Sequence, residues 1–129
     1  MCLAITDLEL HQNYIDSNQS LDDFIEEKTK DYKTEYSIKT LSIIRHFTHL
    51  FMLTYCYASG YYSYMWAEHI EADAFEYFKE NGVFNKQIAE KFRKTILEMG
   101  GAKNPNDLFI DFRGRKPSID ALMKKKGFI

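Results

Sequence analysis

Apolar residues recur along this chain at helical spacing, and polar clusters punctuate them. Leu3, Ile5, Leu8 and Leu10 predict a helix from Leu3 to about Tyr14. Ser20 with Asp23 three residues on has the form of a capping box and predicts a second helix through LDDFIEEKTKDY. From Ser37 to about Leu53 the chain is apolar on most sides, so a buried helix carrying His49 is expected there. TYCYASG follows, and Gly60 allows an irregular turn. Tyr62, Met65, Trp66, Ile70 and Phe78 then predict a helix from Tyr61 to about Glu80, stopped by Asn81-Gly82. Asn85 caps KQIAEKFRKTILEM, whose stripe is Ile88, Phe92, Ile96 and Met99, and Gly100-Gly101 ends it. Asn104 caps a short helix with Pro105 at its first position, running to Phe112 and broken at Gly114. Ser118 opens a last helix, IDALMKKK, ended by Gly127. No alternating run long enough for a sheet occurs, so the expected class is all-α with no sheet. With no repeat, low-complexity tract or linker, residues 1–129 are expected to form a single helical unit.

Composition narrows the setting. The chain has 129 residues, 45% of them hydrophobic, enough for one modest core. Cys2 and Cys56 show neither a CxxC spacing nor a disulfide framework, which fits a reducing, cytoplasmic compartment. The first ten residues carry acids where a secretory leader would be basic, and no apolar run approaches the ~20 residues of a membrane span. No membrane association is expected.

Charge is uneven although the total is only -2. Residues 1 to 82 hold 6 Lys/Arg against 14 Asp/Glu, and residues 83 to 129 hold 11 against 5. The basic C-terminal residues Arg113, Arg115, Lys116 and Lys124 to Lys126 do not argue for nucleic acid, because lysines at a helix C-terminus answer the negative end of the helix dipole. Metal chemistry finds little support either. The histidines are His11, His46, His49 and His69, and His46 with His49 has i, i+3 spacing where a zinc-binding HExxH helix needs i, i+4 and an adjacent glutamate. Glu68, His69, Glu71 and Asp73 spread around most of a helical turn, so a solvated face is the expectation and no metal site is assigned.

The residues between Phe47 and Trp66 carry the candidate chemistry. One histidine and five tyrosines fall within sixteen residues, from His49 to Tyr64. A neutral phenol donates and accepts on a stiff arm, so several beside an imidazole suit the stabilisation of a developing oxyanion. Tyr62 and Trp66 read better as core, and an isolated His49 would ordinarily be a buried, hydrogen-bonded histidine.

After GYYSYMW come WAEHIEADAF, GVFN, FRKTILEMGG and LFIDFRGRKPSIDALMKKKG. In this order and spacing the chain, from CLAITDLELH to Gly127, resembles the C-terminal part of the thimet oligopeptidase, oligopeptidase A and peptidyl-dipeptidase family of zinc metallopeptidases, closest to the bacterial peptidyl-dipeptidase branch. The resemblance implies a multi-helix C-terminal portion of a zincin-type catalytic domain that hydrolyses short peptides. In such enzymes the zinc is held by an upstream HExxH helix and a more distant glutamate, and no HExxH occurs here. Zinc is therefore implied for the full-length family and none for this chain alone, whose implied partners are peptide substrates and the missing upstream region. The motif F-x-H-[IL] falls on Phe47-Thr48-His49-Leu50. The carried-over positions are His49, the loop tyrosine Tyr57 and the helix tyrosine Tyr64 for catalysis, with Tyr61 facing the substrate's C-terminal side. One stretch departs from the family: LFMLTYC, Leu50 to Cys56, is bulky and about two residues longer where the family has glycines that let the loop move. The isolated chain is thus expected to be catalytically incomplete. The alternative is a free-standing helical module that binds peptides or a partner helix without cleaving them.

Overall fold

The computed structural model describes residues 1–35, 37–38, 42–51 and 57–129, with the side chain of His49 also outside the description. Among the described residues the chain is all-α, with six α-helices and no strand. It divides into two compact units, Met1–Met65 and Trp66–Ile129, and the division falls within one helix.

In the first unit, α1 spans Cys2–Gln12 and α2 spans Leu21–Thr29. The Ser20 hydroxyl accepts from Asp23 N at 3.2 Å and donates to the Asp23 carboxylate at 2.6 Å, so Ser20 caps α2 with the acid of the expected box beside it. The core is Leu10, Phe24, Ile25, Ile44 and Leu50, with Tyr14, Leu21, Phe47, Tyr57 and Tyr61 packed against it. Burying a side chain of this size stabilises by roughly 1.5–3 kcal/mol relative to exposure. Thr29 also lies inside, its hydroxyl donating to Ile25 O at 2.7 Å.

The buried helix expected from Ser37 to Leu53 is not what the described part of that stretch forms. Residues Ile43–Arg45 and Thr48–Leu50 are separate single 3₁₀ turns. Ser42 is extended, at φ -60 and ψ 135; its hydroxyl accepts from Ile44 N and its own N–H donates to the Asp22 carboxylate. Backbone groups that a helix would have paired are thus satisfied by side chains, the usual way serine competes with helix. Arg45 donates to the same Asp22 carboxylate. Among the described residues of this stretch, Ile44 and Leu50 go into the core and Phe47 packs against it, while Ile38, Ile43 and Phe51 are exposed. The remainder of the expected helix, at Lys39 to Leu41 and at Met52 and Leu53, lies outside the described residues.

α3, Ser63–Asn81, matches the expected helix closely, and Gly82 ends it at φ 97. In the second unit this helix is followed by α4 (Lys86–Phe92), α5 (Pro105–Arg113) and α6 (Asp120–Lys125). Asn85 and Asn104 cap α4 and α5 through their side-chain oxygens, Pro105 occupies the first turn of α5, and Gly114 closes it in the left-handed region. The helix expected from Lys86 to Met99 is interrupted: Arg93–Leu97 is a π-helical turn, closed by Glu98 N to Arg93 O at 2.9 Å. The Thr95 hydroxyl donates to Lys91 O at 2.8 Å, and Arg93 pairs with both Glu90 and Glu98, so side chains stabilise the wider turn. Glu90 answers by having its carboxyl held down at about 2, chiefly by the hydrogen bond from Arg93.

The centre of this unit is aromatic. Phe112 is 0% exposed and meets Tyr77, Phe78 and Phe92 with ring centroids 5.1–5.9 Å apart, mostly edge to face. Tyr62 and Trp66, expected in the core, are 46% and 61% exposed. The early turns of α3 bury none of their side chains; its buried residues are Ala72 and Asp73, further along.

Candidate functional site

Three of the four carried-over positions come together. The Tyr57 and Tyr64 hydroxyls lie 3.1 Å apart and their rings stack at 12° with centroids separated by 6.1 Å. Tyr61 fits against both, 6.4 Å from Tyr57 and 4.9 Å from Tyr64 between centroids. The fourth, His49, has its backbone in the turn Thr48–Leu50, and its side chain lies outside the described residues.

The local sequence explains the convergence. Tyr64 is in the first turn of α3, and its N–H donates to Tyr61 O at 3.3 Å. Tyr61 also packs edge to face on Phe47 at 5.1 Å, which fixes it to the core. Tyr57 reaches the other two across a turn whose Ser59 has φ 56, the left-handed region, with Gly60 N donating to Tyr57 O at 2.9 Å. A left-handed conformation in a residue with a Cβ costs roughly 1–2 kcal/mol, so something must hold it.

That support comes from α1. Asp7 is 0% exposed, and its carboxylate accepts from Ser59 N at 3.0 Å and from Tyr61 N at 2.9 Å. His11, one turn on, places Nδ1 3.0 Å from Asp7 Oδ1 and 2.8 Å from Asp7 O, and stacks its ring on Phe51 at 5.5 Å. Sequence reasoning missed Asp7, His11 and Ser59. The available signal was an acid and a histidine four residues apart, Asp7 and His11, on one face of the same helix. The bulky departure from the family pattern is partly accounted for, since Leu50 is a buried core residue and Phe51 is the face on which His11 stacks. Met52 to Cys56 lie outside the described residues.

Chemically, either phenol can be the donor in this hydrogen bond. When Tyr57 donates to Tyr64, the Tyr64 O–H is turned outward; Tyr64 is 51% exposed and can reach an incoming oxygen. A hydroxyl that accepts one hydrogen bond donates a second more strongly, because the bonds polarise one another.

The acid–histidine group on α3 does something else. Asp73 was expected on a solvated face, yet it is 0% exposed. Arg115 grips both its oxygens at 2.7 Å, Arg113 Nε lies at 3.3 Å, and Ser118 N donates at 2.7 Å. Burial pushes the Asp73 carboxyl up, but the bonds from Arg115, Ser118 and Arg113 outweigh it and hold the group below the usual carboxylate range. Arg113 also reaches Glu80 at 2.7 Å and lies 4.8 Å over the Tyr77 ring. Glu71 pairs with Lys125 and Glu68 with Lys126. These donors do not fit a zinc ion: each carboxylate already faces a cation, and among the described residues no three His, Cys, Asp or Glu side chains are grouped to hold a metal. No helix among the described residues is long and apolar enough to cross a membrane.

Comparison with known sequences agrees with the motif order. The model of peptidase family M3 matches residues 1–128, and the chain belongs to that family of peptidases. Oligopeptidase A of Escherichia coli is 47% identical over 81 residues, which cover 63% of this chain and 12% of that protein. The organellar oligopeptidase A, chloroplastic/mitochondrial, of Arabidopsis thaliana is 37% identical over 138 residues, 98% of this chain and 16% of that protein. Dipeptidyl carboxypeptidase of Salmonella typhimurium is 32% identical over 71 residues, 55% of this chain and 10% of that protein. These identities do not favour the expected kinship with the peptidyl-dipeptidase branch. The chain spans 12% and 16% of the length of the two oligopeptidase A relatives.

Proposed function

We propose that this chain is the C-terminal substrate-binding and oxyanion-stabilising portion of a zinc metallopeptidase acting on short peptides, and that it works only with an upstream portion that carries HExxH and the zinc. The observation behind this reading is the 3.1 Å contact between the Tyr57 and Tyr64 hydroxyls, with Tyr61 beside them. As a peptide carbonyl is attacked, its oxygen gains negative charge, and a pre-aimed phenol O–H stabilises that charge more than it does the ground state. Tyr64 takes the donor role, Tyr57 polarises it, and Tyr61 and His49 line the path of the substrate. Without the zinc and its base the nucleophile is missing, so the isolated chain has no peptidase activity. The compartment is the cytosol, and neither nucleic acid nor a membrane is a partner.

The test is a fluorogenic peptide assayed with zinc, using the chain alone and the chain co-expressed with an upstream family M3 polypeptide that contains HExxH. The chain alone is inert, the combined protein turns over, and Tyr64→Phe lowers kcat by about a hundredfold or more. Turnover by the isolated chain that is abolished by a chelator and lost on Tyr64→Phe would overturn the reading.

One observation favours the alternative, a helical interaction module. α3, α4, the π turn and α5 line an open apolar hollow of about 480 Å³, with Ile70, Phe75, Phe78, Ile96, Phe109 and Phe112 among its walls. On that reading peptide binding responds to Phe75→Asp and is indifferent to Tyr64→Phe.

A further inference from the structure

The phenol pair depends on a loop that holds a strained serine, and the group that holds it is on a different helix. We propose that Asp7 is a positioning residue for the tyrosine site: its buried carboxylate, steadied by His11, latches the turn from Tyr57 to Tyr61 so that the Tyr57 and Tyr64 hydroxyls meet. Its value for catalysis rests on the oxyanion reading above; the latch itself does not.

Asp7 has no contact with solvent, and an ionised carboxyl there must be met by several donors. Its partners are the backbone N–H groups of Ser59 and Tyr61 and the Nδ1 of His11. Two of those three lie fifty-two and fifty-four residues away in sequence, in the turn that joins Tyr57 to α3. Holding both N–H groups on one carboxylate fixes the backbone on either side of Gly60. That offsets the left-handed Ser59 and sets the direction from which Tyr57 approaches Tyr64.

His11 adds a second anchor. With a proton on Nδ1 the His11 ring donates to Asp7, 2.8 Å from its main-chain O and 3.0 Å from its carboxylate, while its face rests on Phe51. One turn of α1 therefore grips the chain on both sides of residues 52–56, at Phe51 and at Ser59–Tyr61. Those are the residues that separate the His49 turn from Tyr57. The latch thus sets the sequence-distant ends of the stretch that departs most from the family pattern.

The test is Asp7→Asn in the full chain, followed by NMR. An amide side chain can accept at only one of its two ends, so one backbone N–H loses its partner. Exchange of the Ser59 and Tyr61 amides should quicken about tenfold, the equivalent of one net hydrogen bond to a charged group, while the Ser118 amide is unchanged. The ring-to-ring NOE between Tyr57 and Tyr64 should weaken or vanish, a change that general loosening of the core would not confine to this pair. If Asp7→Asn disrupts the first unit, shown by collapse of the Phe24 and Leu50 signals, His11→Phe decides. It keeps a ring against Phe51, removes the Nδ1 donor, and should quicken the same two amides about threefold. Unchanged Ser59 and Tyr61 amides and an intact NOE would overturn the latch. A latch that responds as described, together with hydrolysis indifferent to Tyr64→Phe in the combined enzyme, would overturn the functional reading alone.

Discussion

Each unit contains one fully buried aspartate, and the two are held in different ways. Asp73 is surrounded by charge: Arg115 bidentate, Arg113 at its side and one backbone N–H from Ser118. Asp7 has two backbone N–H groups and an imidazole. Both use a helix-borne carboxylate to fix a distant loop, the connection to α6 in one case and the tyrosine turn in the other. Where guanidinium groups surround the acid, they neutralise it and join it to a wider network with Glu80 and Tyr77, as structural ion pairs do. Where backbone N–H groups are the main partners, the carboxylate specifies a backbone conformation, and the residue so held is left-handed and next to the phenols. Buried acids of the first sort maintain a fold; the second sort adjusts a site.

The largest expected effect comes from breaking the charged cluster. Asp73→Ala removes the carboxylate that Arg115 grips with two bonds, leaves the Ser118 N–H without its acceptor and reduces Arg113 to its Glu80 partner, and removing one partner of a buried pair costs about 3 kcal/mol or more. Urea denaturation of the second unit, followed through the amides of Ser118 and Phe112, should register it. A loss no larger than that of an exposed alanine substitution would mean that the arginines find water instead.

Acid separates the two aspartates more finely. The Asp73 carboxyl titrates below its ordinary value of 3.8 when folded, so the folded chain binds fewer protons there than the unfolded one. The stabilisation is complete above about pH 4–5 and is lost as pH falls through the depressed folded value. Stability of the second unit between pH 5 and pH 2 should therefore decline more steeply in the wild type than in Asp73→Asn. Parallel declines would show that the cluster is not the acid-sensitive element.

The smallest effect probes the strained serine. Ser59→Gly relieves the left-handed conformation but adds freedom to the unfolded chain, and the two terms of roughly 1 kcal/mol each nearly cancel. Melting should move by no more than a few degrees, with the Tyr57–Tyr64 NOE kept as long as Asp7 is present. Loss of that NOE in Ser59→Gly would shift the weight of the latch from the carboxylate to the serine itself.

Much of the fold was legible because its signals are local. Ser20, Asn85 and Asn104 cap the helices they were expected to cap, and Gly82 and Gly114 have the positive φ that ends a helix. The stretch after Ser37 misled, since apolar content alone does not make a helix when Ser42 and Asp22 offer its backbone other partners. The π turn was equally hidden, for it depends on Arg93 bridging Glu90 and Glu98 as well as on the helix-forming residues themselves. Of the site, Tyr57, Tyr61 and Tyr64 could be named from motif order, but nothing in their spacing gave the contact between hydroxyls.

By itself the sequence determined an all-α chain, the stops of the helices that Gly82 and Gly114 close, and membership in peptidase family M3. These follow from residues acting on their near neighbours and from an order of blocks. Tertiary structure alone decided that Asp73 is an interior ion-pair partner instead of a surface acid, that Trp66 stays exposed, and that Asp7 reaches the tyrosine turn. Burial and pairing over forty to fifty residues are properties of how segments pack, and no local pattern encodes which donor a carboxylate will meet.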